Sequence, residues 1–321
     1  MGLSLGLLST ARINEKLVAG ARLVDEVDVV AIGSRDLARA EEQAAKLGVE
    51  RALGSYDALL EDPQVDAVYV ALPNSMHADW SIRALEAGKH VLCEKPMARS
   101  VEPVERAFDT AEKAGLVLTE GFMWRHHPQA GKLTELLPRL GSLRLVRASF
   151  SFPLAGSGDP RQSGELEGGA LMDVGCYCVS GARLVAGEPV EVYGEQVGGG
   201  DGVDVRFTGL MRFEGDVLAL VDCGIDMAHR HGLEVVGSEG SVLLADPWHS
   251  REPVLELRAA DGSVETIRAE EADPYACELR DLAAAIAGAG EPYLGRADAL
   301  GQARVIAALY RSAETGRMVR P

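Results

Sequence analysis

Five short apolar runs, Leu3 to Leu8, Val27 to Gly33, Val65 to Ala71, His90 to Cys93 and Leu116 to Thr119, alternate with amphipathic stretches from Leu3 to about Glu120. Strands that are apolar along nearly their whole length need cover on both faces, and helical crossovers between them join neighbours in parallel. The pattern therefore predicts an α/β, doubly wound parallel sheet. Helices fill the gaps: Arg35 to Leu47 stops at Gly48 and Ser75 to Ala87 at Gly88, and glycine is the residue that most easily takes the left-handed backbone ending a helix.

After His126-His127-Pro128 the rhythm changes. A helix, Gln129 to Leu140, precedes a strand, Leu143 to Phe152, a loop rich in Gly and Pro over Pro153 to Glu167, and a helix from about Gly168 to Val185. Runs at Val190 to Val197, Val203 to Phe213, Val217 to Asp226, Leu233 to Gly237, Ser241 to Ala245 and Val254 to Arg258 follow one another with turn residues between them. Such a succession predicts an open, mainly antiparallel sheet, closed by helices over Pro274 to Ala287 and Ala297 to Thr315. At 321 residues two domains are expected, residues 1–121 and an α+β domain over residues 122–321.

A chain that is 47% hydrophobic and 25% charged has the composition of a folded protein rather than an extended disordered one. No apolar stretch has bilayer length, so no membrane partner is expected, and Met1-Gly2-Leu3-Ser4-Leu5 lacks the basic region and cleavage signal of a secretory leader. The expected compartment is the cytoplasm. The five cysteines, at 93, 176, 178, 223 and 277, are an odd number without a repeated spacing and fit free thiols. A net charge of −17 with no run of Lys and Arg argues against a nucleic-acid partner. An anionic cofactor is still compatible, because one or two arginines and helix N-termini act locally while the distant field is screened.

The first strand runs into Ser9-Thr10-Ala11-Arg12-Ile13-Asn14. Dinucleotide turns ordinarily place glycine at the first, third and sixth of these positions, which here hold Ser9, Ala11 and Asn14. Small residues still suit the first two places, and Ser9 and Thr10 add hydroxyls beside the helix N–H groups; an ordinary strand–helix turn is the other reading. The second strand ends Ala31-Ile32-Gly33-Ser34-Arg35, with no carboxylate until Asp36 to grip the ribose of NAD. Ser34 can donate to a 2′-phosphate and Arg35 can neutralise it, with Arg39 one helical turn on, so NADP is favoured over NAD. The alternative is a solvated helix face of Arg35, Arg39, Glu41 and Glu42.

Glu94-Lys95-Pro96 ends the fourth apolar run. An ammonium at the C-terminal end of a parallel strand can bond a substrate oxygen and stabilise alkoxide character there, and partial burial would bring its pKa towards the acid–base range. Pro96 restricts Lys95 to extended backbone and is a candidate for the cis isomer. Further on stands Gly168-Gly169-Ala170-Leu171-Met172-Asp173-Val174-Gly175-Cys176-Tyr177, in which Asp173 and Tyr177 have the spacing of neighbours on one helix face. The adjacent His126 and His127 point in different directions and no recognisable ligand spacing accompanies them, so no metal site is expected. Cys176 and Cys178 are expected to be small packing residues.

Taken with Leu72-Pro73-Asn74 followed by His77, and Glu120-Gly121-Phe122-Met123-Trp124-Arg125-His126-His127-Pro128, these motifs resemble the glucose-fructose oxidoreductase, inositol dehydrogenase and MocA family over nearly the whole chain. Within it the pattern is most similar to the branch of dihydrodiol dehydrogenase and NADP-dependent xylose dehydrogenase. The resemblance implies an N-terminal Rossmann domain for the dinucleotide and a C-terminal domain for substrate binding and oligomerisation. Tyr177 would be the general acid for ketone reduction or the base for alcohol oxidation, with Lys95 assisting; tyrosine here departs from the histidine of the inositol dehydrogenase pattern. Asp173 would bind a neighbouring hydroxyl or orient the lysine. Cofactor contacts would come from Ser9, Thr10, Ala11, Arg12 and Ile13, from Ser34, Arg35 and Arg39, and from Leu72, Pro73, Asn74 and His77. Glu94 and Lys95 would join them, and Trp124 and Arg125, with His126, would line a cleft between the domains. The implied function is NADP-dependent oxidoreduction of a polyol or keto-sugar by a homodimer or homotetramer. A non-catalytic NADP-binding regulator and a redox-neutral enzyme with tightly held nucleotide are the alternatives.

Overall fold

In the computed structural model, which describes residues 2–156 and 158–321, the apolar runs are strands of a parallel sheet. Met1, at the start of the sequence, and Ser157, in the expected loop Pro153 to Glu167, lie outside the described residues. The chain forms β1 (Leu3–Leu8), α1 (Asn14–Ala21), β2 (Val27–Gly33), α2 (Leu37–Leu47), β3 (Arg51–Leu53) and α3 (Tyr56–Leu60). It continues through β4 (Ala67–Val70), α4 (His77–Glu86), β5 (His90–Glu94), α5 (Val101–Ala114) and β6 (Leu118–Gly121). These strands pair in the order β3-β2-β1-β4-β5-β6, all parallel. Leu5, Leu7, Ile32, Val68 and Leu92 are shut off from solvent, as a sheet covered on both faces requires. The strand expected over Val65 to Ala71 is shorter, and β3 and α3 were not individually expected, because three and five residues are too few to show a period.

Beyond β6 come α6 (Met123–His126), α7 (Pro128–Leu136), β7 (Leu143–Pro153) and α8 (Cys176–Ala186). There follow β8 (Glu191–Gly198), β9 (Asp204–Arg212), β10 (Leu218–Gly224), β11 (Asp226–Gly237), β12 (Gly240–Leu244), β13 (Val254–Ala259) and β14 (Val264–Arg268), then α9 (Pro274–Ile286) and α10 (Arg296–Thr315). The second sheet is ordered β14-β13-β12-β11-β7-β10-β9-β8. All its neighbours are antiparallel except β10 and β7, which run parallel. β11 begins seven residues before the expected start at Leu233, because its first half, with His229, Arg230 and His231, has no apolar alternation to betray it. β14 is a solvent-facing edge strand and equally silent in the sequence.

Residues up to His126 pack with Asp273–Leu300 as one compact unit, and His127–Ala272 with Gly301–Pro321 as another. The expected single division after Gly121 put α9 with the second domain; it packs in the first unit instead. Gly20 of α1 makes room for it, since a Cβ there would stand 2.7 Å from Tyr275 Cβ and 2.9 Å from the Ala276 nitrogen. In the second unit α8 lies over β7, β10 and β11, and the later turns of α10 bond the sheet, with the Gly194 N–H donating to Ser312 Oγ at 3.0 Å. Among the described residues no helix is long and apolar enough to cross a membrane.

Candidate active site

The turn after β1 departs from the glycine pattern and is held by its own side chains. Ser9 holds φ +125°, a region that ordinarily favours glycine. Its hydroxyl donates to the Ala71 carbonyl at 2.7 Å and accepts from the Ala11 N–H at 3.1 Å, so the side chain itself fixes the strained residue. Asn14 Nδ2 donates to the Ser9 carbonyl and to Gln43 Oε1, each at 2.9 Å, and Gln43 Nε2 donates to the Ala11 carbonyl at 3.1 Å. Gln43 lies on α2 and nothing in its sequence surroundings marks this role. Thr10, Ala11 and Ile13 are half-buried and Arg12 is exposed. No side chain caps α1 at Ile13.

At the end of β2, Ser34 is buried and its Oγ accepts from the Asp36 N–H at 3.2 Å, which leaves its own O–H to donate. Asp36 is the N-cap of α2, its Oδ1 accepting from the Arg39 N–H at 3.3 Å. The first carboxylate after β2 is thus engaged in the helix cap. The Arg35 and Arg39 side chains are exposed, with the Arg35 guanidinium 6.0 Å from the Tyr56 ring centre. An open guanidinium and a hydroxyl donor at this strand end fit a phosphorylated ribose better than a bare one. The site stands where the strand order reverses, beside β1 and β4, which is the ligand-binding edge of such sheets.

Lys95 follows β5 on the same C-terminal edge and is half-buried; the Lys95–Pro96 peptide is cis. Its neighbours are built in. Tyr69 of β4 donates from its hydroxyl to Glu94 Oε1, and Glu94 Oε2 accepts from the Lys95 N–H at 3.3 Å. Burial, and then the Glu94 charge, push the Tyr69 phenol well above its usual range, so it serves as a fixed donor. His77 sits wholly inside, Nδ1 2.9 Å from the Pro96 carbonyl and Nε2 2.7 Å from the Leu72 carbonyl. Burial lowers its pKa and outweighs the two carbonyls, which favour the charged ring. His77 therefore ties the Leu72-Pro73-Asn74 turn to the Lys95 loop, a bracing position rather than a surface one. Pro73 and Asn74 are half-buried beside it. Glu120 Oε1 accepts from the Met97 N–H at 2.7 Å and pins the far side of the loop.

Trp124 and Arg125 lie on α6 and are buried; Arg125 pairs with Asp298 at 3.5 Å and stacks 5.7 Å from the Tyr293 ring centre. His126 Nδ1 is 2.5 Å from Asp281 Oδ2 on α9. His127 instead caps α7, accepting from the Gln129 N–H at 3.0 Å.

In the second unit, Asp173 and Tyr177 do not share one regular α-helical face as expected. Leu171–Gly175 is a π-helical turn, and Tyr177 stands in the first turn of α8. The helix starts later than Gly168 because Gly169, at φ +116°, lies over Asp204 of β9. The Asp204 carboxylate accepts from the Leu171 N–H at 2.7 Å and from the Tyr310 hydroxyl at 2.8 Å. π-turns inside helices are often found at functional sites. Asp173 Oδ2 is 2.9 Å from Arg161 Nε, an arginine of the Gly- and Pro-rich loop that sequence reasoning passed over. Burial pulls the Arg161 pKa down, but Asp173, Asp159 and Tyr177 more than offset it and the guanidinium sits above its usual value. Tyr177 is 7% exposed, edge-on to Phe150 with ring centres 5.5 Å apart and 6.0 Å from Trp248. Cys176 and Cys178 are buried beside it, and all five cysteines are free thiols.

Residues 7–122 match the model of an oxidoreductase family with an NAD-binding Rossmann fold (GFO/IDH/MocA), and residues 138–243 match the GFO/IDH/MocA C-terminal domain. The chain is 40% identical over 320 residues to D-xylose 1-dehydrogenase (NADP(+)) 2 of Haloferax volcanii, with 98% of each chain covered. It is 32% identical over 248 residues to trans-1,2-dihydrobenzene-1,2-diol dehydrogenase of Danio rerio, covering 75% of this chain and 74% of the relative. Among solved structures, a 3-ketoreductase from Actinomadura kijaniata in complex with NADP and TDP-benzene is similar at a TM-score of 0.91 and 32% identity, covering 97% and 98% of the two chains.

Proposed function

Because the chain belongs to the GFO/IDH/MocA oxidoreductase family, we propose that it is an NADP-dependent oxidoreductase. It transfers a hydride between the nicotinamide and a secondary alcohol or ketone carbon of a sugar, sugar derivative or cyclic diol. The observation that carries this reading is Lys95, placed by β5 on the ligand-binding edge of the sheet and braced there through Glu94, Tyr69 and His77. NADP, when bound, supplies the hydride acceptor for an alcohol and, as NADPH, the donor for a ketone.

The residues of the chain handle the oxygen. Lys95 donates to it and stabilises the negative charge that gathers as the C–H bond breaks or forms. Tyr177 delivers a proton to it in reduction and accepts that proton in oxidation. Asp173, oriented by Arg161, accepts from a neighbouring hydroxyl of the substrate. Ser9 to Ile13 form the cofactor turn, Ser34, Arg35 and Arg39 hold the 2′-phosphate, and the Leu72–His77 and Trp124–Arg125 segments complete the cofactor site. The residues through Gly121 supply the dinucleotide-binding domain, and the eight-stranded sheet supports substrate binding and assembly as a homodimer or homotetramer. A cytoplasmic setting fits the free thiols, and the charge of −17 fits a protein without a nucleic-acid partner.

The test is a panel of aldoses, keto-sugars, inositols and cyclic diols, followed at the NADPH absorbance in both directions, on native protein and on Lys95→Ala. Turnover by the native chain that collapses in the variant is expected. Absence of turnover above the variant in both directions overturns the proposal in favour of a nucleotide-binding regulator; tightly bound nucleotide with no net NADPH change points to the redox-neutral reaction.

A further inference from the structure

We propose that His231, Asp246 and His249 form a binding site for a divalent transition-metal ion of the zinc class. His231 lies in the polar first half of β11, and Asp246 and His249 in the segment after β12, all within the second unit. One ligand atom from each lies within 4.8 Å of the other two. His231 Nδ1 is buried and, among the described residues, has no hydrogen-bond partner, while His249 Nδ1 and Asp246 Oδ1 face each other as an ion pair. Three half-buried donor groups that converge in this way, one of them unpaired, suit a cation or a water that joins them.

The geometry and donor set favour the cation. His249 Nδ1 and Asp246 Oδ1 are 3.5 Å apart, close to the roughly 3.3 Å edge of a tetrahedron with metal–ligand bonds of about 2.0–2.1 Å. His231 offers the third donor within 4.8 Å of both. Asp246 is held from its outer side: Oδ2 accepts from the Arg251 N–H at 3.2 Å and from Nε at 3.0 Å, which leaves Oδ1 turned to the histidines. The backbone is fixed as well, with Trp248 Nε1 donating to the Ser149 carbonyl at 2.9 Å and Ser250 Oγ to Gln129 Oε1 at 2.8 Å. Two imidazoles and one carboxylate suit zinc, cobalt or nickel and not calcium or magnesium, which need oxygen cages. The Arg251 cation beside Asp246 opposes a second positive charge and moderates affinity.

The position gives the site a consequence. Phe150 is edge-on to His231 and His249, at 5.9 and 5.5 Å, and also to Tyr177 at 5.5 Å. Trp248, between two of the ligands in sequence, lies on Tyr177. An ion here would lock the segment that packs on the proposed proton-transfer phenol, leaving one coordination position open to water.

Binding is read without reference to activity, so it stands or falls separately from the proposed reaction. Full-length protein stripped with chelator is titrated with Zn2+ by calorimetry and with Co2+ by visible spectroscopy, alongside His231→Asn, Asp246→Asn, His249→Gln and a Cys277→Ser control. Expected are one zinc per chain, a raised melting temperature on loading, at least tenfold weaker binding in each of the three ligand variants, and an unchanged control. The Co2+ spectrum should show four-coordinate ligand-field bands with no thiolate charge-transfer band, a reading taken on the native protein and independent of variant folding. No saturable uptake, uptake that survives all three variants, loss in Cys277→Ser, or a cobalt–thiolate band would each overturn the site.

Discussion

Tyr177 is packed by the edges and faces of Phe150 and Trp248, so its ring and its hydroxyl can be separated experimentally. Tyr177→Phe keeps the packing and removes only the hydroxyl, the proposed proton carrier; kcat should fall by about 10²–10⁴-fold, with the thermal melt within a degree or two of native. A variant that retains most of its kcat would remove Tyr177 from the chemistry. At the end of β2, Arg35 is exposed and stacks loosely on Tyr56, so Arg35→Ala should leave stability unchanged. If it grips a 2′-phosphate, the KM for NADP rises about tenfold or more while that for NAD barely moves, since a charge-assisted bond is worth about 1.5–3 kcal/mol. Equal changes for the two cofactors would argue for the solvated helix face. Arg161 and Gln43, by contrast, carry roles that come from what folding brings beside them.

Two element contacts make claims of their own. Gly20 sits inside α1, where glycine-to-alanine ordinarily gains up to about 1 kcal/mol of helix stability. Here a Cβ would press on Tyr275 and the Ala276 backbone, so Gly20→Ala should instead lose about 1–3 kcal/mol in urea unfolding, the sign itself reporting that α9 belongs against α1. β5 and β6 are joined partly by the Val117 N–H donating to His90 Nδ1 at 2.9 Å, a bond that only the unprotonated nitrogen can accept. Burial lowers the His90 pKa below about 6.5, with Asp66 pulling it partly back. The folded value being depressed, this contribution is fully present above about pH 6.5 and is lost as pH falls through the folded value. The urea midpoint should drop between pH 7 and pH 5, and His90→Asn, which keeps an acceptor but does not titrate, should flatten the drop.

At the scale of the whole molecule, the open face of the eight-stranded sheet presents Leu220, 43% exposed, amid ion pairs such as Arg230–Asp222 and Arg206–Asp226. If that face carries the proposed homo-oligomer, light scattering gives a mass of two or four chains, and Leu220→Glu lowers it; a monomeric native protein would refute the assembly. The parallel sheet, the turn after β1 and the lysine after β5 were legible because each depends on neighbours in sequence: apolar runs set strands, a strand's end sets the place of Ser34 and Lys95, and proline shapes the residue before it. The return of α9 to the first unit was not, because two helices of similar period look alike wherever they pack. The π-turn before Tyr177 follows from Asp204, far along the chain, holding the Leu171 N–H. In the cluster of His231, Asp246 and His249 only the last two are close in sequence, three residues apart; His231, on another strand, joins them only once the sheet has formed. Local pattern thus determined the longer strands and helices and the strand ends at which Ser34 and Lys95 stand, while long-range contacts, whose partners no period encodes, decided helix onset, the packing of α9 and which polar groups converge.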